Sequence, residues 1–184
     1  RQGRWLKGRA PVTASERAAV RVCHLNTVHA WDDPRIYHKE CRTLAQAGYR
    51  VALVAPAATP APPEEAVELI PLRRRSRRLA RATLGVWEGL RQAWRSRAAI
   101  IHYHDPELIP AGMLLRLLGR RVIYDVHEDY PRMLREKPYL GAFAKHVLGR
   151  AAAVLEKGAG WSASAVVAVT PVIQRRFPAA KSVL

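Results

Sequence analysis

IHYHDPELIPAGMLLRLLG, Ile101–Gly119, and VIYDVHEDYP, Val122–Pro131, decide how this chain folds. Each sets a short apolar run against a cluster of ionisable residues and a proline. Runs this short, rich in Val, Ile and Tyr, read as strands. Asp105-Pro106 then has the form of a helix opening, a capping residue followed by a proline at the first helical position. The apolar residues from Leu108 onward run on to Gly119, which fits a helix C-terminus. Strand, polar cluster and helix therefore follow one another in that order, and the second stretch begins the same order again.

The rest of the chain repeats this grammar. Val20–Val28 reads as a first strand. Asp33-Pro34 opens a helix in which Ile36, Tyr37, Glu40, Cys41 and Leu44 recur at helical spacing until Gly48. Arg50–Ala55 and Val67–Leu72 read as further strands, separated by the Pro- and Ala-rich loop Pro56–Pro63. A helix follows Arg73–Arg78 and extends to about Arg97, with Leu79, Thr83, Val86, Trp87, Leu90 and Trp94 as its apolar stripe. Ala99–His104 and Arg121–Val126 are strands. A polar loop then leads to a helix over Gly141–Lys157 and a strand at Ala165–Val169. Thr170-Pro171 opens one more helix, and Ser182–Leu184 reads as the beginning of another strand. Continuous apolar strands alternating with helices predict a parallel sheet covered on both faces. The expected fold is α/β: a Rossmann-like, doubly wound, three-layer domain over residues 20–184, preceded by a basic flexible leader over residues 1–19.

In such a sheet, ligands bind beyond the carboxyl ends of the strands, where helix N-termini point free N–H groups inward. The polar clusters fall on that side. Asn26, Thr27, His29, Asp32, Asp33 and Arg35 follow the first strand. His104, Asp105 and Glu107 follow the fourth, His127, Glu128, Asp129 and Tyr130 the fifth, and Thr170 the sixth. The opposite rim reads as ordinary turns, Gly48-Tyr49-Arg50 and Gly119-Arg120-Arg121. Asp33, Asp105 and Thr170 each precede a proline, so capping and ligand contact are both open to them. His102 and His104 share a strand face and with His127 could bind zinc, but no further ligand is signalled, and a packed, hydrogen-bonded His102 is the simpler reading. His127 ends an apolar strand and is followed by two carboxylates able to fix its tautomer. No G-x-G-x-x-G follows the first strand, which disfavours a dinucleotide-dependent dehydrogenase. There is also no P-loop and no nucleophile elbow.

Composition narrows the partners. Of 184 residues, 31 are Lys or Arg against 15 Asp or Glu, a formal charge of +16, so an anionic partner is expected. Nucleic acid is not favoured, because no recognition motif accompanies the charge. Arg73, Arg74, Arg75, Arg77, Arg78 and Arg81, followed by Trp87 and Trp94, suggest contact with an anionic membrane surface. Packing of both tryptophans in the core with Leu90 is the competing reading. Cys23 and Cys41 form no disulfide or metal pattern, which suits a cytoplasmic protein, at the inner face of a membrane if the arginines dock there. No apolar run reaches the roughly 18 residues needed to cross a bilayer.

Several of these stretches together resemble the N-terminal domain of family-4-like glycosyltransferases. They are Asp33-Pro34-Arg35-Ile36, LAQAGYRV (Leu44–Val51), HYHDPEL (His102–Leu108), VIYDVHED (Val122–Asp129) and VVAVTPVI (Val166–Ile173). The resemblance implies one half of a GT-B architecture. The acceptor-side domain is this chain, and the C-terminal donor domain lies outside it, so this chain alone is expected to be inactive. It implies a hexosyltransferase-type enzyme moving a sugar from a nucleotide-sugar to a glycan or lipid-linked acceptor, with no metal and no cofactor bound by this domain alone. His127, Glu128 and Asp105 become the candidate catalytic residues. Thr27, Asp33, Arg35, His104 and Thr170 become substrate-binding candidates, with Arg35 near the departing diphosphate. The chain lacks the glycine-rich loop usual after the first strand. Two other readings stand beside it: half of a sugar-nucleotide epimerase, and a non-catalytic anion- or lipid-binding module on the same scaffold.

Overall fold

The computed structural model describes residues 12–57 and 66–184. Most of the proline-rich loop and the first eleven residues of the expected leader lie outside the described residues. Within that leader, Ala14–Ala19 forms a short helix, α1, rather than a loose tail. Thr13 and Glu16 close a reciprocal capping box on it, and Arg17 Nε donates to the Ala47 carbonyl at 2.7 Å.

Among the described residues seven strands form one sheet: β1 (Arg21–Leu25), β2 (Arg50–Pro56), β3 (Val67–Leu72), β4 (Ile100–Tyr103), β5 (Arg121–Val126), β6 (Ala165–Ala168) and β7 (Ser182–Val183). All neighbouring pairs are parallel, and the order across the sheet is β3, β2, β1, β4, β5, β6, β7. The Rossmann-like α/β fold read from the sequence is the fold observed. Chain direction across the sheet reverses between β1 and β4, which makes that pair the topological switch point where a crevice opens.

Six more helices flank the sheet. In α2, Pro34–Cys41 is wound with i→i+5 bonds and Arg42–Gln46 is α-helical. Next, α3 comprises Arg78–Ala80, a wider-wound Arg81–Gly85 and Val86–Arg95. A 3-10 turn, Pro106–Leu108, leads into α4 (Ile109–Leu117). The last three are α5 (Tyr130–Glu136), α6 (Ala142–Ser162) and α7 (Pro171–Gln174). The sequence reads as polar loop where α5 forms, although Asp129 accepts the Arg132 N–H at 3.1 Å and Pro131 stands in the first turn, both of them start signals.

Strand alternation gives the sheet two different faces. Cys23, Leu25, Ile101, Tyr103, Val122 and Tyr124 point into the larger apolar core, which also takes in Ala93, Leu108, Leu115 and Ala159 from the helices. The smaller core gathers Ile36, Tyr37 and Cys41 of α2 against Val51, Leu53 and Val67. On that same face the central strands carry polar residues instead: His24 pairs in register with Leu53 on one side and His102 on the other.

The stripe on α3 divides, with Val86 and Leu90 packing against the larger core and Leu79 and Trp87 staying outside. Trp87 is 65% and Leu79 76% exposed; Gly89 and Ala93 are the buried positions. A Cβ on Gly89 would stand 3.1 Å from Leu25 Cδ1, so the helix approaches the sheet through Gly89 and Ala93, with Val86 and Leu90 packed beside them and both tryptophans set to the outside. Trp94 is 43% exposed, with the Arg120 guanidinium 4.7 Å from its ring centre.

Gly112 permits a second close approach. A Cβ there would lie 2.5 Å from Tyr103 Cε1, and the Tyr103 ring is fully buried and stacked on Tyr124 at 4.8 Å. Gly112→Ala is therefore expected to destabilise the domain by about 1–3 kcal/mol. Thermal unfolding should show it as a fall of roughly 2–12 °C; an unchanged melting temperature would mean Tyr103 has room the structure does not show.

Candidate active site at the switch point

The polar residues at the carboxyl ends of β1, β4 and β5 converge around Asp125, which is fully buried at the end of β5. Arg35, the second residue of α2, reaches it with Nη2 at 2.9 and 3.1 Å from the two carboxylate oxygens. Arg35 Nε donates to Glu40 Oε1 at 3.0 Å, so one guanidinium holds both acids. Asp125 Oδ2 also lies 3.3 Å from His104 Nδ1, 3.4 Å from His127 Nε2 and 3.6 Å from His102 Nε2. Burial alone would raise the Asp125 pKa, but His102 and His104 hold it far below the usual carboxylate range, so the group is charged. For Glu40 the balance runs the other way. Burial and the neighbouring Asp125 charge push its pKa up to about 8, against the opposing pull of Arg35.

Three histidines form a chain from the buried centre of the sheet to the crevice. His24 Nδ1 is 3.0 Å from His104 Nε2, and His104 Nδ1 is 3.1 Å from His127 Nε2. Burial lowers the pKa of all three, that of His104 to about 3, so they are neutral near pH 7. Each contact holds one proton, and the tautomers are therefore linked. A proton on His104 Nδ1 makes its Nε2 the acceptor for His24 and leaves the His127 proton on Nδ1. His127 keeps its side chain 26% exposed while His104 and His24 are buried, so the chain meets solvent at His127.

A second group shapes the loop after β1. Asp105 Oδ2 accepts the Thr27 N–H at 2.6 Å and the Val28 N–H at 3.1 Å. Asp105 is thus a brace across the switch point rather than a cap for its own helix, which has no side-chain cap. Burial raises its pKa, partly offset by the Thr27 amide. Thr27 Oγ1 donates to Glu107 Oε1 at 2.7 Å, and Glu107 in turn accepts Arg81 Nε at 2.9 Å. His29 sits at the mouth, 3.4 Å from Asp33 and 4.0 Å from Asp105. Asp33 does cap α2, accepting the Arg35 and Ile36 amides at 2.9 Å each. Burial would raise its pKa, but those amides hold it low.

The structure thus brings Thr27, Asp33, Arg35, His104, Asp105 and His127 into one neighbourhood. Two candidates stand apart. Glu128 is exposed, and Thr170 caps α7 through the Ile173 amide at 3.3 Å at the end of β6. Arg35 is tied into the cluster by Nε to Glu40 and Nη2 to Asp125, while its side chain keeps 35% of its surface exposed. Arg81, expected at a lipid surface, belongs to this site through Glu107. His24, Glu40 and Asp125 are neighbours in the cluster that carry no role in the sequence reading, which names Glu107 only as part of the polar rim. A histidine inside the apolar run Val20–Leu25, and a glutamate on the apolar stripe of α2, were the available signals.

The opposite rim is not bare turns. A cavity of about 650 Å³ opens at the amino ends of the strands, lined by Arg21, Arg50, Glu68, Gln92, Arg95 and Arg97 among others. It is basic, but it holds no imidazole, and its one acid, Glu68, pairs with Arg21. The carboxyl-end cluster is the better chemical site, since it alone combines neutral imidazoles, buried carboxylates and the switch point.

Comparison with known families finds a match to the glycosyl transferase 4-like domain over residues 34–183. Comparison with curated proteins gives no match. The matched segment begins at the first residue of α2, ends in β7, and carries most of the cluster described above; with four-fifths of its length matched, the chain belongs to the glycosyl transferase 4-like domain family.

Proposed function

We propose that the crevice at the ends of β1, β4 and β5 holds the acceptor in a glycosyl transfer from a nucleotide-sugar, facing a donor-binding domain supplied from outside this segment. The family supports transferase chemistry, and the observation that carries the site is the imidazole chain ending at His127 on the switch point. A neutral, half-buried imidazole can donate to or accept from a sugar hydroxyl, and its buried neighbours fix which. Asp105 and Glu107 hold the loop Thr27–Val28, and a loop held at both ends can keep a hydroxyl within about 3–3.5 Å of the sugar carbon. As the sugar moves, its bond to the diphosphate oxygen breaks and a bond to the acceptor oxygen forms. Stabilising the departing diphosphate falls to the donor-binding domain, because Arg35 is engaged within the cluster. The test is transfer from a panel of nucleotide-sugars by a chain that includes both domains. Release of free or isomerised sugar without an acceptor product would favour the epimerase reading instead.

A second observation bears on the acceptor. Arg73, Arg74, Arg77 and Arg78 are exposed, and beside them α3 displays Leu79, Leu84 and Trp87. Basic residues near an acidic bilayer contribute about 1 kcal/mol each, and exposed Trp and Leu suit the interface. This face fits an anionic membrane carrying a lipid-linked acceptor. Among the described residues no helix is long and apolar enough to cross the membrane itself. Flotation with vesicles containing acidic lipid should carry the protein upward at low salt. Replacing Arg73, Arg74 and Arg77 by Ala should reduce the bound fraction about tenfold or more. Equal binding to neutral vesicles would contradict this placement.

A further inference from the structure

Behind His127, on the α2 face of the sheet, four side chains meet whose arrangement the transfer reaction does not explain. We propose that His24 Nδ1, His104 Nε2 and Glu40 Oε2, completed by a nitrogen of His102, form a structural site for a divalent transition-metal ion of zinc's size and ligand preference.

Distances carry the inference first. The three named atoms stand 3.0, 3.7 and 3.8 Å apart, and with His102 all four ligand atoms lie within 4.8 Å of one another. Zinc bound at about 2.0–2.1 Å to nitrogen and oxygen places its ligands roughly 3.3–3.5 Å apart. An ion therefore fits among the first three with shifts of a few tenths of an ångström, and His102 moves inward to complete the set. Three imidazoles and one carboxylate form a zinc-type donor set.

Two of the polar groups around this centre, Glu40 and His104, point the same way, while His24 Nε2 on the far side of its ring is buried without a partner. Glu40 Oε2 is buried and makes no hydrogen bond, since 3.7 and 3.8 Å are too long for one. A buried glutamate oxygen with no hydrogen-bond partner, facing two imidazole nitrogens, is what a cation would satisfy. The outer contacts are those that orient metal ligands. His104 turns its other nitrogen to Asp125 at 3.3 Å, and the second oxygen of Glu40 accepts from Arg35 at 3.0 Å. His24 and His102 are register partners on adjacent central strands, and His104 lies two residues further along the same face, so three ligands sit on the most rigid part of the fold. Glu40 alone comes from a helix, in the stretch wound with i→i+5 bonds. Four protein ligands and burial describe a closed, structural centre rather than one open to substrate.

Such an ion would not touch the sugar. Bound at His104 Nε2, it leaves the His104 proton on Nδ1, facing Asp125 and His127, and so sets which His127 nitrogen carries its own proton. The inference concerns the metal and stands whether or not the transfer reading does.

The test uses tag-free protein stripped with a chelator and dialysed. Zinc added back should bind at one ion per chain and raise the melting temperature. Cobalt(II) in its place should give the intense visible bands of a tetrahedral centre, abolished by one equivalent of zinc. Glu40→Gln and His24→Gln should each weaken zinc binding at least tenfold, whereas His146→Gln, on exposed α6, should not. Lack of stoichiometric binding, an octahedral cobalt spectrum, or unchanged affinity in both cluster variants would overturn the site. The cobalt measurement needs no variant, so it decides even if a substituted chain fails to fold.

Discussion

Asp125→Ala should lower the stability of this domain by about 3 kcal/mol, the low end of the range for breaking a buried ion pair. The low end applies because the Arg35 side chain keeps 35% of its surface in solvent and retains Glu40 as a partner. Three imidazoles would lose the same carboxylate at once, and the cavity would sit at the end of a central strand. In thermal unfolding this corresponds to a fall of roughly 6–12 °C. Asp125→Asn keeps the shape and some of the hydrogen bonding, so it should fall between wild type and Ala. A melting temperature within about 2 °C of wild type for the Ala variant would show that Asp125 does not organise the cluster.

His127→Ala should behave in the opposite way. Its ring lies at the lip, partly in solvent, and its contacts are to His104 and Asp125, which keep their other partners. The domain should remain folded, with a stability loss under about 1 kcal/mol, typical of substitutions away from the core. Sugar transfer by a chain carrying both domains should drop by about 10²–10³-fold, the usual loss when one placed hydrogen-bonding group is removed from a transition state. The contrast would separate the roles proposed for the two residues: Asp125 holding the site together, and His127 meeting substrate. Full transfer activity in His127→Ala would remove it from the mechanism.

What the sequence disclosed and what it withheld follow from the physics of each signal. Parallel strands carry their own mark in short, continuous apolar runs, and Asp33-Pro34 and Thr170-Pro171 open helices as their composition requires. The placement of polar residues at carboxyl ends then follows from topology alone. Partnerships across strands do not. His24 meets His102 and His104 only because β4 pairs with β1, an order set by tertiary packing and invisible along the chain. Asp105 shares the Asp-Pro form of a helix cap, yet it is drawn across the switch point by two free amides of the β1 loop. Glu40 sits on the buried stripe of α2, and a carboxylate in that position has meaning only once its partners are known. The α3 stripe misleads in part, because Val86 and Leu90 pack while Leu79 and Trp87 do not, and periodicity does not show where along its width a helix meets the sheet. Gly89 and Ala93 decided that by allowing closer approach than tryptophan could.

The most direct measurement of the central claim is an amide and imidazole chemical-shift map of this domain, titrated with a panel of nucleotide-sugars and glycan acceptors. The account predicts perturbations confined to Thr27–Asp33, Asp105–Glu107 and His127. Shifts gathered instead around Arg21, Arg50, Arg95 and Arg97, at the amino ends of the strands, would place saccharide recognition on the wrong side of the sheet for everything argued above.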